Sequence, residues 1–438
     1  MRSPYFPART VLFHKEPNGV TYRVPGLLYL SRSRTFLAFC EERLSPSDSQ
    51  AHLLVMRKGT FYRNYVEWED MRVLGSALLP GHRSMNPCPV YDEFTGHSLP
   101  LLHRCSRPHN GPLSPSVLVM ASSSSPVVCW FLPMLTTSSA KSALDSSARP
   151  PHTPSASTVT PTGRSWRFGE AVPGPESVEC QMVSVDEEDG TNVLYCNARS
   201  PLGYRVQALS VDDGAVFQQG QLVQRLVEPR NGCHGSTVGF PAPLHLCYTL
   251  NHHLHQPIHH CRHWTSCMTD SNHTNSSSPN IQAPPDFLTP TWVVYSHPTW
   301  TNARKDLGVF LSLFPRDPDS WRGPWVIYEG PSAYSDLAYL ELPPSPGVPP
   351  AVAFACLFEC GSKTAYDEIC FCIFTLYELI DNLPRNVQLG SNKQEYKRQT
   401  SGTSQSRTSR HDAQNTAAFH QVKKRRKKSK LTEMCSVS

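Results

Sequence analysis

Over residues 10–90 the chain repeats one unit, a short apolar run closed by turn-forming or charged residues, as in TYRVPGLLYL, RTFLAFCEER and HLLVMRKG. Runs of this length suit a strand and are too short for a stable amphipathic helix, so the pattern predicts consecutive antiparallel strands in an all-β architecture. The unit returns near Arg164 in GRSWRFGEAV, TNVLYCNARS and YRVQALSVDDGAVF. It returns again after Pro290 in TWVVYSHPTW, DLGVFLSLF, GPWVIYEG, AVAFACLFEC and ICFCIFTLYELI. Helical periodicity is confined to residues 376–380.

Charged residues at 18% and aromatics at 10% place the chain among globular proteins, and 438 residues suffice for a large core. No basic start followed by an apolar stretch opens the sequence, and no run is long enough to span a bilayer, so an intracellular location is expected. Fifteen cysteines are an odd count in a long chain. They are expected to be mostly free, buried thiols rather than a disulfide framework. The sequons at Asn272 and Asn275 are then silent.

The net charge of +5 belongs to one end, because residues 391–438 carry 12 Lys+Arg against 3 Asp+Glu and the rest of the chain is net acidic. This tail is rich in Ser, Thr and Gln and is expected to be disordered. Its cluster Lys423, Lys424, Arg425, Arg426, Lys427 and Lys428 reads as a nuclear-import signal bound by an import receptor, or as a nucleic-acid or anionic membrane-surface contact. No specific nucleic-acid target is expected. Residues 249–290 are rich in His, Asn, Ser and Pro and read as an insertion loop. The spacing of His252, His253, His255, His259, His260, Cys261, His263 and Cys267 fits no closed zinc site, so no metal is expected.

Three arginines stand in β contexts: Arg23 in TYRVPG, Arg199 in CNARS and Arg304 in ARKDLG. Singly, each reads as an ordinary strand-end residue. Together with FCEERLSPSDS, GHRSMNPCPV, SVECQ, SAYSDL and the turn SVDDGAVF, they resemble one family, the sialidases, in order and in context. Further phrases, among them GFPAP, PWVIYEGPS and TAYDEI, are similar to the vertebrate branch. The likeness covers residues 10–96 and 164–385.

The resemblance implies a six-bladed β-propeller over residues 10–385 and a cofactor-free exo-α-sialidase. Its substrates would be terminal sialic acids of glycoproteins, oligosaccharides and gangliosides. Sialic acid carries a carboxylate, which planar guanidinium groups hold bidentately at any working pH; Arg23, Arg199 and Arg304 take that role. Tyr334 matches the nucleophile, Glu179 the base that accepts its proton, and Asp48 the general acid/base, with retention of configuration. Glu359 matches the residue orienting the first arginine, and Glu41 and Arg43 line the pocket. Ser210, Asp212, Gly214 and Phe217 match the Asp-box turn. His234 in GCHGS departs from the family, which has Gln there. The resemblance places the chain in lysosomes or at intracellular membranes.

Residues 97–163 break the pattern. Where the family has an apolar strand after YDEFTG, one admissible codon choice from Gly96 onward, less one base, reads ATLFLFFIAVLGHT. Val117 onward, less two bases, reads PGHGIQLKPRRLLVPAYAY, and residues 149–161 likewise hide the start of an Asp box. The expectation is a segment translated out of frame and without evolved structure, with some tens of family residues absent near Asn110. The propeller would then be incomplete, and the second functional reading is a catalytically inactive, propeller-derived glycan-binding or scaffold protein. A third reading makes the basic tail primary, in nucleic-acid or membrane binding.

Overall fold

In the computed structural model, residues 5–62, 65–78, 82–92, 97–106, 115–119, 155–159, 166–187, 189–243, 289–342 and 351–384 are described. Strand β1 (Arg9–His14) leads into a sheet of β2 (Thr21–Leu30), β3 (Thr35–Arg43), β4 (Ala51–Tyr62) and β5 (Tyr65–Trp68), with β6 (Arg72–Val73) also on β4. The second sheet is β7 (His82–Asp92), β8 (His97–Ser106) and β9 (Pro115–Val119), and the third is β10 (Ser155–Val159) and β11 (Trp166–Ala171). The fourth is β12 (Val178–Asp186), β13 (Asn192–Arg199), β14 (Tyr204–Ser210) and β15 (Gln221–Val227). Then come β16 (Ser236–Pro241), β17 (Thr291–Pro298), β18 (Lys305–Ser312), β19 (Arg322–Leu342), β20 (Ala351–Cys360), β21 (Glu368–Thr375) and helix α1 (Leu376–Asn382).

The 21-residue β19 explains why seven strands share one hydrogen-bonded path. Its first part pairs with β18 as far as Pro331, and its second pairs with β20 from Ser332 onward, so the path holds two four-stranded sheets. The last is completed by β1, which pairs with β21. The N-terminal strand thus closes a sheet made by the C-terminal ones, as a propeller requires to hold its ends together. The fold is an all-β propeller, with six sheets among the described residues.

Apolar side chains on successive sheets meet face to face. Phe240, Trp292, Leu307, Trp325, Phe354 and Phe374 form the core between the fifth and sixth sheets. Phe13, Phe36, Val55, Leu357 and Phe371 join the sixth to the first, and Val183, Tyr195, Val293, Tyr295 and Trp321 join the fourth to the fifth. Burying each such side chain contributes roughly 1.5–3 kcal/mol, so these faces carry most of the stability. Ala51 and Met85 link the first sheet to the second.

Strands β8, β9 and β10 fall within residues 97–163, where the sequence analysis expects out-of-frame residues. They pair in register with β7, β8 and β11 respectively, yet among the described residues these two sheets carry three and two strands against four or five elsewhere. The expected insertion at 249–290 lies outside the described residues up to 288, as does the basic tail with Lys423–Lys428. Nine described cysteines are free, and seven of them are buried. Helix α1 forms where the helical pattern stood, with Thr375 and Glu378 making a capping box. No described helix is long and apolar enough to cross a membrane.

Candidate active site

The first strands of four sheets share a device that alternation cannot encode. Register breaks between Arg23 and Gly26 on β2, Met85 and Pro87 on β7, Val178 and Cys180 on β12, and Ser332 and Ser335 on β19. A bulge inserts one residue and re-aims its side chain. Asn86 (φ 51°) and Glu179 (φ 34°) adopt the left-handed conformation there, as does Val24 (φ 57°) beside Arg23. The bulges thus coincide with Arg23, Asn86, Glu179 and Tyr334.

Arg23 is buried and paired to Glu359, with Nε to Oε1 at 2.7 Å and Nη2 to Oε2 at 3.4 Å. The same carboxylate accepts from the backbone N–H of Val24 and of Tyr334, so Glu359 ties the bulge on β2 to the one on β19. Burial works against the Arg23 charge, but Glu359, Tyr366 and Tyr334 together outweigh it and the guanidinium stays protonated. Its face lies 3.7 Å from the Tyr366 ring centroid.

Tyr334 donates its hydroxyl to Glu179 Oε1 at 2.7 Å, and Arg199 Nη1 reaches both Glu179 Oε2 at 2.7 Å and the Tyr334 oxygen at 3.1 Å. Arg304 stands 5.4 Å over the Tyr334 ring and donates to Gly232 O at 3.1 Å. Burial raises the Tyr334 phenol well above its ordinary pKa; Glu179 adds to the rise, while Arg199 and Arg304 oppose it. The phenol therefore rests protonated, with its acceptor already in place.

Asp48 stands against Arg43 Nη1 with its side chain 75% exposed, while Arg43 Nε donates to Glu41 Oε2 at 2.6 Å. Arg23 and Arg43 both donate to Pro46 O, which links this group to the triad. Burial raises the Glu41 carboxyl, and Arg43 counters it. The Asp box is a turn apart from the cluster: Ser210 Oγ donates to Asp212 Oδ1 at 2.7 Å and accepts from Gly214 N, and Phe217 is buried.

Three features escaped the sequence reading. Asn86, inside the quoted GHRSMNPCPV, is buried with its N–H donated to Glu41, and its Nδ2 has no partner among the described residues. Glu228 is fully buried and accepts from Arg205 Nη1 (2.9 Å), His297 Nε2 (3.1 Å), Ser200 N and Cys233 N. It thereby fixes the loop 229–233, whose Asn231 and Gly232 carbonyls hold Arg199 and Arg304. Gly232 must be glycine: φ is +70° and a Cβ would sit 2.7 Å from Arg199 Cγ. Asp336 is the third; it accepts from Leu27 N, Gln181 Nε2 and Ser236 Oγ, joining the first strands of three sheets to β19. These signals are contacts between distant residues, invisible to local pattern.

No family model matches the chain. Sialidase-4 of Mus musculus is 36% identical over 467 residues, covering 87% of this chain and 96% of its own. Sialidase-4 of Homo sapiens is 36% identical over 472 residues, with 88% and 96% covered. The chain belongs to the sialidase family. Sialidase-3 of Mus musculus, at 33% identity over 420 residues and 86% of this chain, agrees. The mouse Sialidase-4 alignment is longer than the whole 438-residue chain, so that relative has residues with no counterpart here. This sialidase is a glycoside hydrolase of the exo-α-sialidase type.

Proposed function

We propose that the chain removes terminal sialic acids from glycoproteins, oligosaccharides and gangliosides by a retaining double displacement. The observation that carries the reading is the Tyr334–Glu179 hydrogen bond of 2.7 Å enclosed by three guanidinium groups. Arg23, Arg199 and Arg304 bind the substrate carboxylate. That carboxylate would repel an anionic nucleophile, so a neutral phenol suits the attack.

As Glu179 takes the proton, Tyr334 Oη bonds to the anomeric carbon while Asp48 protonates the departing glycosidic oxygen. In the second step Asp48 takes a proton from water, whose oxygen displaces Tyr334, and Glu179 returns the proton to the phenol. Proton NMR of a sialyllactose digest tests this: the α-anomer of free sialic acid appears first. Initial release of the β-anomer overturns retention.

The short second and third sheets favour a second reading, an inactive glycan-binding protein. A wild-type chain that releases no sialic acid yet is retained on a sialoside column supports it. The transcript across codons 90–170 decides whether residues 97–163 are read out of frame. Localisation belongs to the proposal: lysosome or intracellular membranes, with residues 423–428 adding contact with an import receptor. A fluorescent protein fused to residues 391–438 and excluded from the nucleus removes the import assignment.

A further inference from the structure

One group of donors takes no part in the hydrolytic chemistry. Cys360 on β20 and Cys370 on β21 are fully buried, and Glu368 on β21 is half-buried. Cys360 is the register partner of Glu368, and Cys370 follows Glu368 by two residues, so all three side chains share one face of the sheet. Their two sulfurs and a carboxylate oxygen lie within 4.8 Å of one another, with Cys370 Sγ 3.7 Å from Glu368 Oε2. A tetrahedral zinc ion, with bonds of about 2.3 Å to sulfur and 2.0–2.2 Å to oxygen, sets such ligand atoms roughly 3.6–3.8 Å apart. Shifts of an ångström or less would admit the ion.

Thiol pairing alone does not single out this place. Cys356 and Cys372 are also register partners, and Cys180 and Cys196 bring their sulfurs to 3.3 Å, without a carboxylate among them. What differs is Glu368. Among the described residues no Lys or Arg forms an ion pair with it, and its carboxylate accepts a hydrogen bond from a thiol, a weak donor. On its other side Glu368 is the register partner of His14, the last residue of β1. An imidazole, a carboxylate and a thiol thus stand in one row across β1, β21 and β20.

We propose that Cys360, Cys370 and Glu368 form a binding site for one zinc-class divalent cation, with solvent completing its coordination. Binding releases one proton from each thiol to solvent, so affinity rises with pH. The cation pins β20 to β21, the strand on which the N-terminal β1 closes the sheet, and it stabilises the fold there.

The test uses the full chain, stripped with chelator, held in reducing buffer and titrated with cobalt(II). One equivalent gives a thiolate-to-cobalt charge-transfer band, zinc displaces it, and bound metal raises Tm. The Cys360→Ser/Cys370→Ser variant loses that band. Glu368→Gln, which keeps both thiols, binds cobalt about tenfold or more weakly. A band of equal intensity in wild type and the double variant overturns the site and assigns the metal to other ligands, such as those of residues 252–267. So does unchanged affinity in Glu368→Gln, which decides the matter if the double variant does not fold. Neither readout depends on sialidase activity.

Discussion

Arg205 and Arg304 hold adjacent carbonyls of one loop, Cys233 and Gly232, yet they do different things. Arg205 is fully buried, and its donors are taken up by Asn197 Oδ1 and O, Glu228 and Cys233 O. Arg304 is half-buried and has two hydrogen bonds, one of them a long 3.4 Å contact to Tyr366. A fully buried guanidinium with four of its five donors already taken has no face to offer an anion; one with donors to spare, and held in place, does. The saturated cluster is a scaffold, and the unsaturated one is a site.

The largest effect expected from separating the two roles is on chemistry. Tyr334→Phe removes the attacking oxygen and leaves Glu179 paired to Arg199, so kcat/KM for a sialoside falls by about 10³-fold or more while Tm stays near wild type. An enzyme that keeps most of its rate would move the nucleophile elsewhere.

Glu228→Gln inverts that result. It leaves Arg205 buried without its counter-charge, and breaking a buried pair costs roughly 3–5 kcal/mol, read as a lower Tm or denaturation midpoint. Burial opposes the Glu228 charge, but Arg205 and then His297 hold its carboxyl down to about 2 from an ordinary 4.5. A depressed carboxylate contributes stability that is full above its unfolded pKa and lost as pH falls through its folded one. The wild type therefore loses this contribution between about pH 4.5 and 2, and the variant's acid profile is flatter there. A profile identical to wild type would separate Glu228 from the scaffold.

Arg304→Lys is smaller. It keeps the charge but loses the planar fork, so the substrate carboxylate loses one charged hydrogen bond, about 1.5–3 kcal/mol or roughly 10- to 100-fold in kcat/KM. Stability is expected to change little. Equal losses in Arg205→Lys and Arg304→Lys, both in activity alone, would erase the distinction drawn here.

How these roles were legible follows the same division. Strands were readable because their apolar runs are local, and the triad because its arginines sit in quotable contexts such as CNARS and ARKDLG. The bulges at Asn86 and Glu179 were not, since one inserted residue leaves the surrounding composition unchanged. Glu228 in RLVEPR and Arg205 in YRVQALS look like strand-end charges. Only folding, which brings residues 23 apart into one buried pair, makes them a clasp. Residues 97–163 were legible as a departure in pattern, and among the described residues the two sheets built partly from them have fewer strands than the rest.

His234 lies between the two clusters and gives the smallest effect. Its ring packs 5.2 Å from Tyr334, and Nδ1 is buried with no partner among the described residues. Burial pushes it down to about 4 from an ordinary 6.5; Glu179 opposes this, and Arg205 and Arg199 add to it. The unfolded chain then binds more protons than the folded one between these values, so stability from the neutral ring is full above about pH 6.5 and is lost as pH falls toward 4. With partial exposure discounted, about 1–2 kcal/mol is at stake near pH 5. His234→Gln cannot titrate, so its stability should stay flat across that window where the wild type declines. The same substitution should hold kcat/KM steadier toward acid pH, because a charged ring beside Tyr334 would compete with the triad for the phenol's environment. If both proteins decline in parallel, acid sensitivity does not belong to the residue in which this chain departs from its family.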